Sequence, residues 1–554
     1  MAKRTFRTIA VAAVLAAGLS LSACGGSSTA STSSSANSGT PVKGQTITWG
    51  IEKEPETLNP QANGQDSSTP ILRNLTDSYL YLADDGSYQP WLATGYKQSD
   101  DQKTIDLTLR QDVTFSDGEK LDADAVIANF DYYASKNNSH PATWQEYLDS
   151  WKKTGDYTVE FTLKQVYPGF LAALSDLSTA PISPKSLKES KELAAGGKSV
   201  ALTGPYTIKE YKQGSQLTLE ARNDYKWAPQ TLSKQLKSKE SLPYAKELVF
   251  RFLPEASTRT GALTSGQVDI INGVPSQDIN QIKSNSKFDY YQVLNSGTAY
   301  SLYFNTTKAP FNDVNVRKAF QLGADYKAIV KSVYYGTGTY ADQSFSPASV
   351  FYNKAFKGIT FDKAKANKLL DESGWKKRDA KGYRVNAKGE RLSISLYSDA
   401  PYVRDSRDVL NQAISSELKK NVGIEFTFKA RDLGTVTETW KKNTNDAFDN
   451  SMSGLDISTS VDSVYLWKAD PNRVFLKNDQ KVVDLIQQGQ SAKTKKDRQT
   501  AYDKLQDYVI NDQAYVLPLY IPRDNWAASK SVHGFVTSKV AGHLFSSGTV
   551  WKEQ

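Results

Sequence analysis

A chain of 554 residues exceeds what one hydrophobic core serves, so two or more lobes are expected. Its formal charge of +8 is spread too thinly for a nucleic-acid partner, and no basic run is interleaved with aromatics. One cysteine excludes an internal disulfide framework and any Cys-x-x-Cys metal site, and three histidines (His140, His533, His543), none in a recognisable motif, leave zinc or Ser–His–Asp chemistry without support.

The chain opens with a basic segment, MAKRTFR, and then IAVAAVLAAGLSL, an apolar run too short to cross a bilayer but suited to the core of a secretory signal over residues 1–23. Leu21-Ser22-Ala23-Cys24 resembles a bacterial lipobox, which implies cleavage before Cys24 and a diacylglyceryl group on its sulfur. The Ser/Thr/Gly tract that follows cannot bury enough apolar surface to order itself, so residues 24–41 read as a tether. Its reach is on the order of 20–25 Å. No later stretch has the ~20 apolar residues of a spanning helix, so the rest is expected to be soluble and outside the cytoplasm.

GQTITWGI reads as the first strand and EPETLNP as a loop. Ile71, Leu72, Leu75, Tyr79 and Leu80 recur at helical spacing. TIDLTLRQDVTF alternates like strands before the turn SDGEK, and LDADAVIANFDYYAS reads as a helix with Asp122 at its N-cap. DYTVEFTL, QLTLEARN and KELVFRFL are further strands, as is AYSLYF. NVRKAFQLGADYKAIVKSVYYG reads as one helix closed by Gly336, and DKAKANKLLDESGW as another stopped by Gly374. The order RLSISLY, RDVLNQAISSELKKNVG, IEFTFKA predicts strand–helix–strand on a mixed α/β sheet. DRQTAYDKLQDYVINDQ is a long amphipathic helix, and AYVLPLYIP is extended. Trp91 and Phe115 are expected to pack a sub-domain, Gly118, Gly204 and Gly266 to serve turns, and Asp313 and Arg317 to hold a helix start.

Five segments in order, from DDGSYQPWLATGY…FSDGEKLDADAVIANF through LTGPYTIKEYKQGSQLTLEARNDY, ALTSGQVDIINGV and YFNTTKAPFNDVNVRKAFQLGADYKAIV to FDKAKANKLLDESGW with AYVLPLY, resemble the extracytoplasmic solute-binding proteins of peptide/nickel-type ABC importers, family 5. The resemblance spans about residues 45–525. It implies an α/β, two-lobed periplasmic-binding-protein fold of type II: lobe I over 42–297, with an extra sub-domain at about 80–200, lobe II over 298–515, and a return to lobe I over 516–554. Two crossing segments would form a hinge, ligand would stabilise the closed state, and a permease would read that state.

Peptide binders of the family place a carboxylate for the ligand's amino group in a Gly-Trp-x-x-Asp-x-x-Asp-Pro loop. Here the region is SGLDISTSVDSVYLW: Leu455 replaces the Trp and the Asp-Pro is missing. The resemblance puts Asp456 first and Asp462 second for that role, each with a solvated-loop alternative, and the departure puts recognition of a free amino terminus in doubt. It also offers Arg404 for a ligand carboxylate, Glu54, Thr57 and Leu58 as first-loop contacts, and Tyr300 and Trp467 as aromatic walls or core residues. The implied protein is no enzyme and carries no cofactor or metal. It is a lipid-anchored monomer on the outer face of the cell membrane, taking oligopeptides to permease subunits. The alternatives are an oligosaccharide or metal-chelate ligand on the same fold, a signalling receptor, and a secreted surface hydrolase, for which no carboxylate pair is singled out.

Overall fold

The computed structural model describes residues 40–62, 66–135, 143–236, 241–400, 403–466, 479–538, 543–544 and 547–553. The expected signal, Cys24 and almost all of the tether lie outside them, as does Trp467. Three principal sheets organise the rest. The first has seven strands in the order Phe288–Leu294, Arg523–Ser529, Ile270–Asn272, Thr46–Ile51, Glu247–Phe252, Gln216–Ala221 and Tyr206–Lys212. Thr46–Ile51 lies at its centre because Ile47, Trp49 and Ile51 bury against Leu248, Phe250 and Trp526. It runs parallel to both neighbours, and the chain leaves its carboxyl end at Glu52.

The second sheet has six strands: Thr339–Tyr340, Val516–Ile521, Tyr300–Phe304, Ala447–Asn450, Ser393–Asp399 and Glu425–Arg431. The predicted strand–helix–strand unit forms its edge, with Ser393–Asp399 parallel to Glu425–Arg431 and the helix Arg407–Val422 between them in sequence. Gly423 closes that helix at φ +72°, a left-handed position that glycine adopts without steric cost.

The third sheet, with four antiparallel strands (Ala93–Gln98, Thr104–Leu109, Thr158–Leu163, Leu148–Gly155), builds the extra sub-domain. Its core is an aromatic knot: the ring of Phe130, on the helix Ala123–Ala134, lies 4.6 Å from Phe161 and 5.6 Å from Trp144. Asp122 caps this helix by accepting from the Ala125 amide at 2.9 Å. Phe115 is buried in this core, while Trp91 packs in a small neighbouring cluster with Tyr81 and Val536.

Several sequence expectations shift. The helix at Ile71 stops at Leu75, and Leu80 starts a short strand, so Tyr79 and Leu80 are not helical. The single helix expected over 315–336 is two, Val314–Leu322 and Tyr326–Val333, because the Asp325 carboxylate accepts from the Ala328 amide and nucleates a second N-terminus. Gly204 is needed for close approach rather than a turn: a Cβ there would lie 2.3 Å from the Leu75 carbonyl carbon. The return to lobe I begins later than residue 516. Leu517 and Leu519 are buried in the second lobe's core, so Val516–Ile521 pairs with Tyr300–Phe304, and the chain crosses at Pro522. The other crossing runs beside it, with the Asn295 amide donating to the Pro522 carbonyl at 2.9 Å.

Candidate functional site

Ligands of open α/β sheets bind outside the carboxyl ends of parallel strands. Both sheets direct such ends to one place. Glu52 follows the first central strand, while Asp399 ends Ser393–Asp399 and Asp449 and Asn450 end Ala447–Asn450. Between them lies a cavity of about 820 Å³ whose walls also include Thr69 and Arg259 from the first lobe, Arg404, Asp405 and Arg407 from the second, and the crossing residues Asn295 and Pro522. Its lining carries five cations (Lys53, Arg259, Arg404, Arg407, Arg523) and five carboxylates (Glu52, Asp399, Asp405, Asp449, Asp524).

The second-lobe wall is the more tightly built. Arg407 is buried; its Nε donates to the Tyr520 hydroxyl at 2.9 Å, its Nη2 to Ser451 Oγ at 2.9 Å, and its guanidinium lies 4.3 Å from the Tyr300 ring centroid. Asp449 accepts from the hydroxyls of Tyr300 at 2.8 Å and Ser398 at 2.9 Å. Burial raises the Asp449 pKa above the usual carboxylate range, against the lowering effect of Arg407 and the two hydroxyls. Asp405 accepts from Tyr520 at 3.1 Å. Asp405 and Ser406 both hold φ +54°, two successive left-handed non-glycine residues immediately before Arg407. Such backbone costs on the order of 1–3 kcal/mol per residue and persists where surrounding contacts enforce it.

Arg259 has a different role. Its guanidinium donates to the carbonyls of Asn272, Leu253, Pro254 and Gly273, so it ties the first-lobe loops together.

The structure separates the residues singled out in the sequence. Arg404 lines the cavity, its Nε 3.9 Å from Asp405 Oδ2. Tyr300 stands behind the wall, fully buried, orienting Asp449 and Arg407. The first loop reaches the cavity at Glu52 and Lys53 rather than at the later residues. Glu54 accepts from Tyr211 at 2.7 Å and the Gly214 amide, Thr57 donates to the Ala194 carbonyl, and Leu58 is buried in the first lobe's core.

Asp456 and Asp462 do not face the cavity either. Asp456 accepts from Arg498 at 2.6 Å and from the Ser458 amide at 2.8 Å, capping the short helix Ile457–Val461. Burial pushes the Asp456 pKa up, but the charge and hydrogen bond of Arg498 outweigh it and hold the group below the usual carboxylate range. The carboxylate expected to meet a ligand ammonium is thus paired with this chain's own guanidinium. Asp462, also buried, accepts from the Tyr147 hydroxyl at 2.8 Å. Tyr147 belongs to the extra sub-domain and stacks on Tyr167 with centroids 3.8 Å apart, and the Tyr167 hydroxyl lies 3.4 Å from Thr459 Oγ1. The expected ligand-binding loop therefore forms the contact between the extra sub-domain and the second lobe.

Sequence reading missed Arg407, Asp449 and Tyr520. Arg407 opens the predicted helix RDVLNQAISSELKKNVG, three residues beyond Arg404, and only the fold shows which arginine meets Tyr300. Among the described residues, no group of three His, Cys, Asp or Glu could hold a metal ion, and no helix is long and apolar enough to cross a membrane.

Two lobes joined by paired crossings around a charged cavity make the architecture of a solute-binding protein. The chain belongs to the bacterial extracellular solute-binding proteins, family 5, whose middle-region model matches residues 87–473. It is the family read from the five motifs. The oligopeptide-binding protein AppA of Bacillus subtilis (strain 168) is 27% identical over 552 residues, 97% of each chain. The structure of AppA in complex with a nonapeptide aligns with a TM-score of 0.75 at 23% identity, over 93% of this chain and 100% of that one. NikA from Brucella suis in complex with Fe(III)-EDTA aligns with a TM-score of 0.79 at 22% identity, over 92% and 100%. These likenesses establish the two-lobed fold. Proteins of the family are extracytoplasmic substrate-binding components of ABC importers that take peptides, nickel or other ligands.

Proposed function

We propose that this chain captures oligopeptides between its lobes and delivers them to the permease of an ABC importer, as a monomer anchored through lipid on Cys24. The observation that carries the peptide reading is the balance of charge in the cavity, five cations against five carboxylates. A zwitterionic chain presents one anion and one cation to such a wall and leaves both sets matched. Arg407 and Arg404 suit a ligand carboxylate, and Asp449 and Asp405 a ligand ammonium. The cavity size falls within the ~300–1,000 Å³ typical of small-ligand sites. The nonapeptide held by AppA supports the same class. Residues from both lobes contribute, so a bound peptide stabilises closure by contacts it makes only in the closed state. No bond is made or broken.

The test is a thermal-shift screen with pooled peptides, oligosaccharides and metal chelates. A peptide at 100 times its Kd adds about 2.7 kcal/mol of stability. Arg407→Met abolishes that shift while the protein remains folded. Hits confined to sugars or chelates overturn the peptide reading. Retention of Cys24→Ala in the membrane fraction overturns the anchor.

A further inference from the structure

The even spread of charge read from the whole-chain total does not hold locally, because most of the excess falls in one segment. Residues 354–391 hold twelve Lys and Arg against five Asp and Glu, a net of +7, where the whole chain sums to +8. The segment folds as one surface of the second lobe. The helix Lys363–Glu372 is joined to the hairpin Lys377–Arg378/Arg384–Val385 through Arg384, which bonds Asp371, Asn367 Oδ1 and the Trp375 carbonyl.

The acids of the segment are consumed internally. Asp362 caps the helix, Asp371 pairs with Arg384, Glu372 lies 3.9 Å from Lys368, Asp379 pairs with Arg391, and Glu390 accepts from Asn386. The lysines point outward. Lys363, Lys365, Lys376, Lys377, Lys381 and Lys388 are all exposed, and none lies within 4.0 Å of a carboxylate oxygen among the described residues. Phe361, 38% exposed, stands at the start of the same helix.

We propose that this face binds an anionic lipid surface. Mobile ammonium groups around one exposed aromatic suit a plane of charged headgroups: each lysine adds attraction without needing a fixed partner, and the ring enters the interface. The surface precedes Ser393, at the end of its strand opposite Asp399 and the cavity. The patch thus lies at the end of the second lobe away from the cavity, so a membrane contact there leaves the cavity open. The proposal does not depend on the identity of the ligand or on the modification of Cys24.

The test uses residues 40–554, which contain every sheet and core cluster of the fold, in co-sedimentation with phosphatidylglycerol-containing and pure phosphatidylcholine vesicles. Binding is expected to the anionic vesicles alone and to disappear at about 1 M salt, where the screening length is about 3 Å. Lys365→Gln/Lys377→Gln/Lys381→Gln weakens it on the order of 100-fold, at roughly fivefold per lysine. The control Lys97→Gln/Lys152→Gln/Lys212→Gln, at exposed sites elsewhere, leaves it unchanged. Equal binding to neutral vesicles, or equal loss in both variants, overturns the proposal. So does retention that appears only when importer membrane subunits are reconstituted, which assigns the face to a protein partner.

Discussion

Removing one hydroxyl, in Tyr147→Phe, tests whether the contact between the extra sub-domain and the second lobe sets the closing equilibrium. The phenol donates to Asp462 at 2.8 Å, and both residues are buried where the extra sub-domain meets the second lobe. A hydrogen bond to a charged group contributes about 1.5–3 kcal/mol net. When the lobes part, water solvates both groups, so the substitution costs nothing in the open state. The ring remains, and so does its stacking on Tyr167 at 3.8 Å. The closed-to-open ratio therefore falls about 10- to 100-fold. If the free protein is mostly open, the apparent Kd for ligand rises by the same factor, and the change appears in the dissociation rate. Isothermal titration calorimetry with the peptide found in the screen, and stopped-flow release, measure both quantities. Small-angle scattering of the bound protein should show a larger radius of gyration for the variant at limiting ligand. A Kd within twofold of the parent, with unchanged release, refutes the assignment of closure energy to this contact.

Two further outcomes probe the scaffold. Gly204→Ala places a Cβ 2.3 Å from the Leu75 carbonyl carbon and 2.4 Å from the Thr76 nitrogen, so backbone must move. Urea denaturation should show a loss of at least about 2 kcal/mol, and a change under about 0.5 kcal/mol would contradict the close approach. Asp77, buried against Trp227 at 2.9 Å and Tyr225 at 3.2 Å, is raised to about 7 by burial, with those hydrogen bonds opposing the shift. The unfolded carboxyl titrates near the ordinary aspartate value of 3.8, so between the two values the folded chain holds the extra proton. The stability this gives is full below about pH 4 and is lost as the pH rises to about 7. From pH 5.5 to 7.5 the parent should lose about 2 kcal/mol that Asp77→Asn does not; parallel pH profiles for the two proteins would refute this.

Much of the fold is legible because its signals are local. The alternation of TITWGI, TVEFTL and EFTFKAR marks strands, Asp122 starts a helix by the hydrogen bond its carboxylate accepts, and Gly423 ends one at a left-handed dihedral that the lack of a side chain permits. The break between Leu322 and Tyr326 was less legible, since an uninterrupted apolar periodicity hid the cap that Asp325 forms. The crossing at Pro522 was hidden for another reason. VLPLYI is apolar throughout, and only pairing with Tyr300–Phe304 shows which lobe claims it.

The site was the least legible part, because its charges are matched by residues distant in sequence. Asp456 and Arg498 are 42 positions apart, and nothing local to SGLDISTSVD announces the guanidinium that fills its carboxylate. The departure from the family pattern at Leu455 and the absence of Asp-Pro acquire a physical reading from that pair. A carboxylate already held by a buried arginine and a backbone amide gains little by exchanging them for a ligand's ammonium, since breaking a buried pair costs about 3–5 kcal/mol. On the proposed peptide reading, recognition of a cationic group therefore passes to acids whose positions open onto the cavity. Asp449 and Asp405 satisfy that condition, held by hydroxyls of Tyr300, Ser398 and Tyr520 beside Arg407. An ammonium approaching them must compete with Arg407 for the same carboxylates, whereas a ligand carboxylate reaching Arg407 leaves them free to receive it. The arrangement favours ligands that bring both charges together over ligands that bring only one.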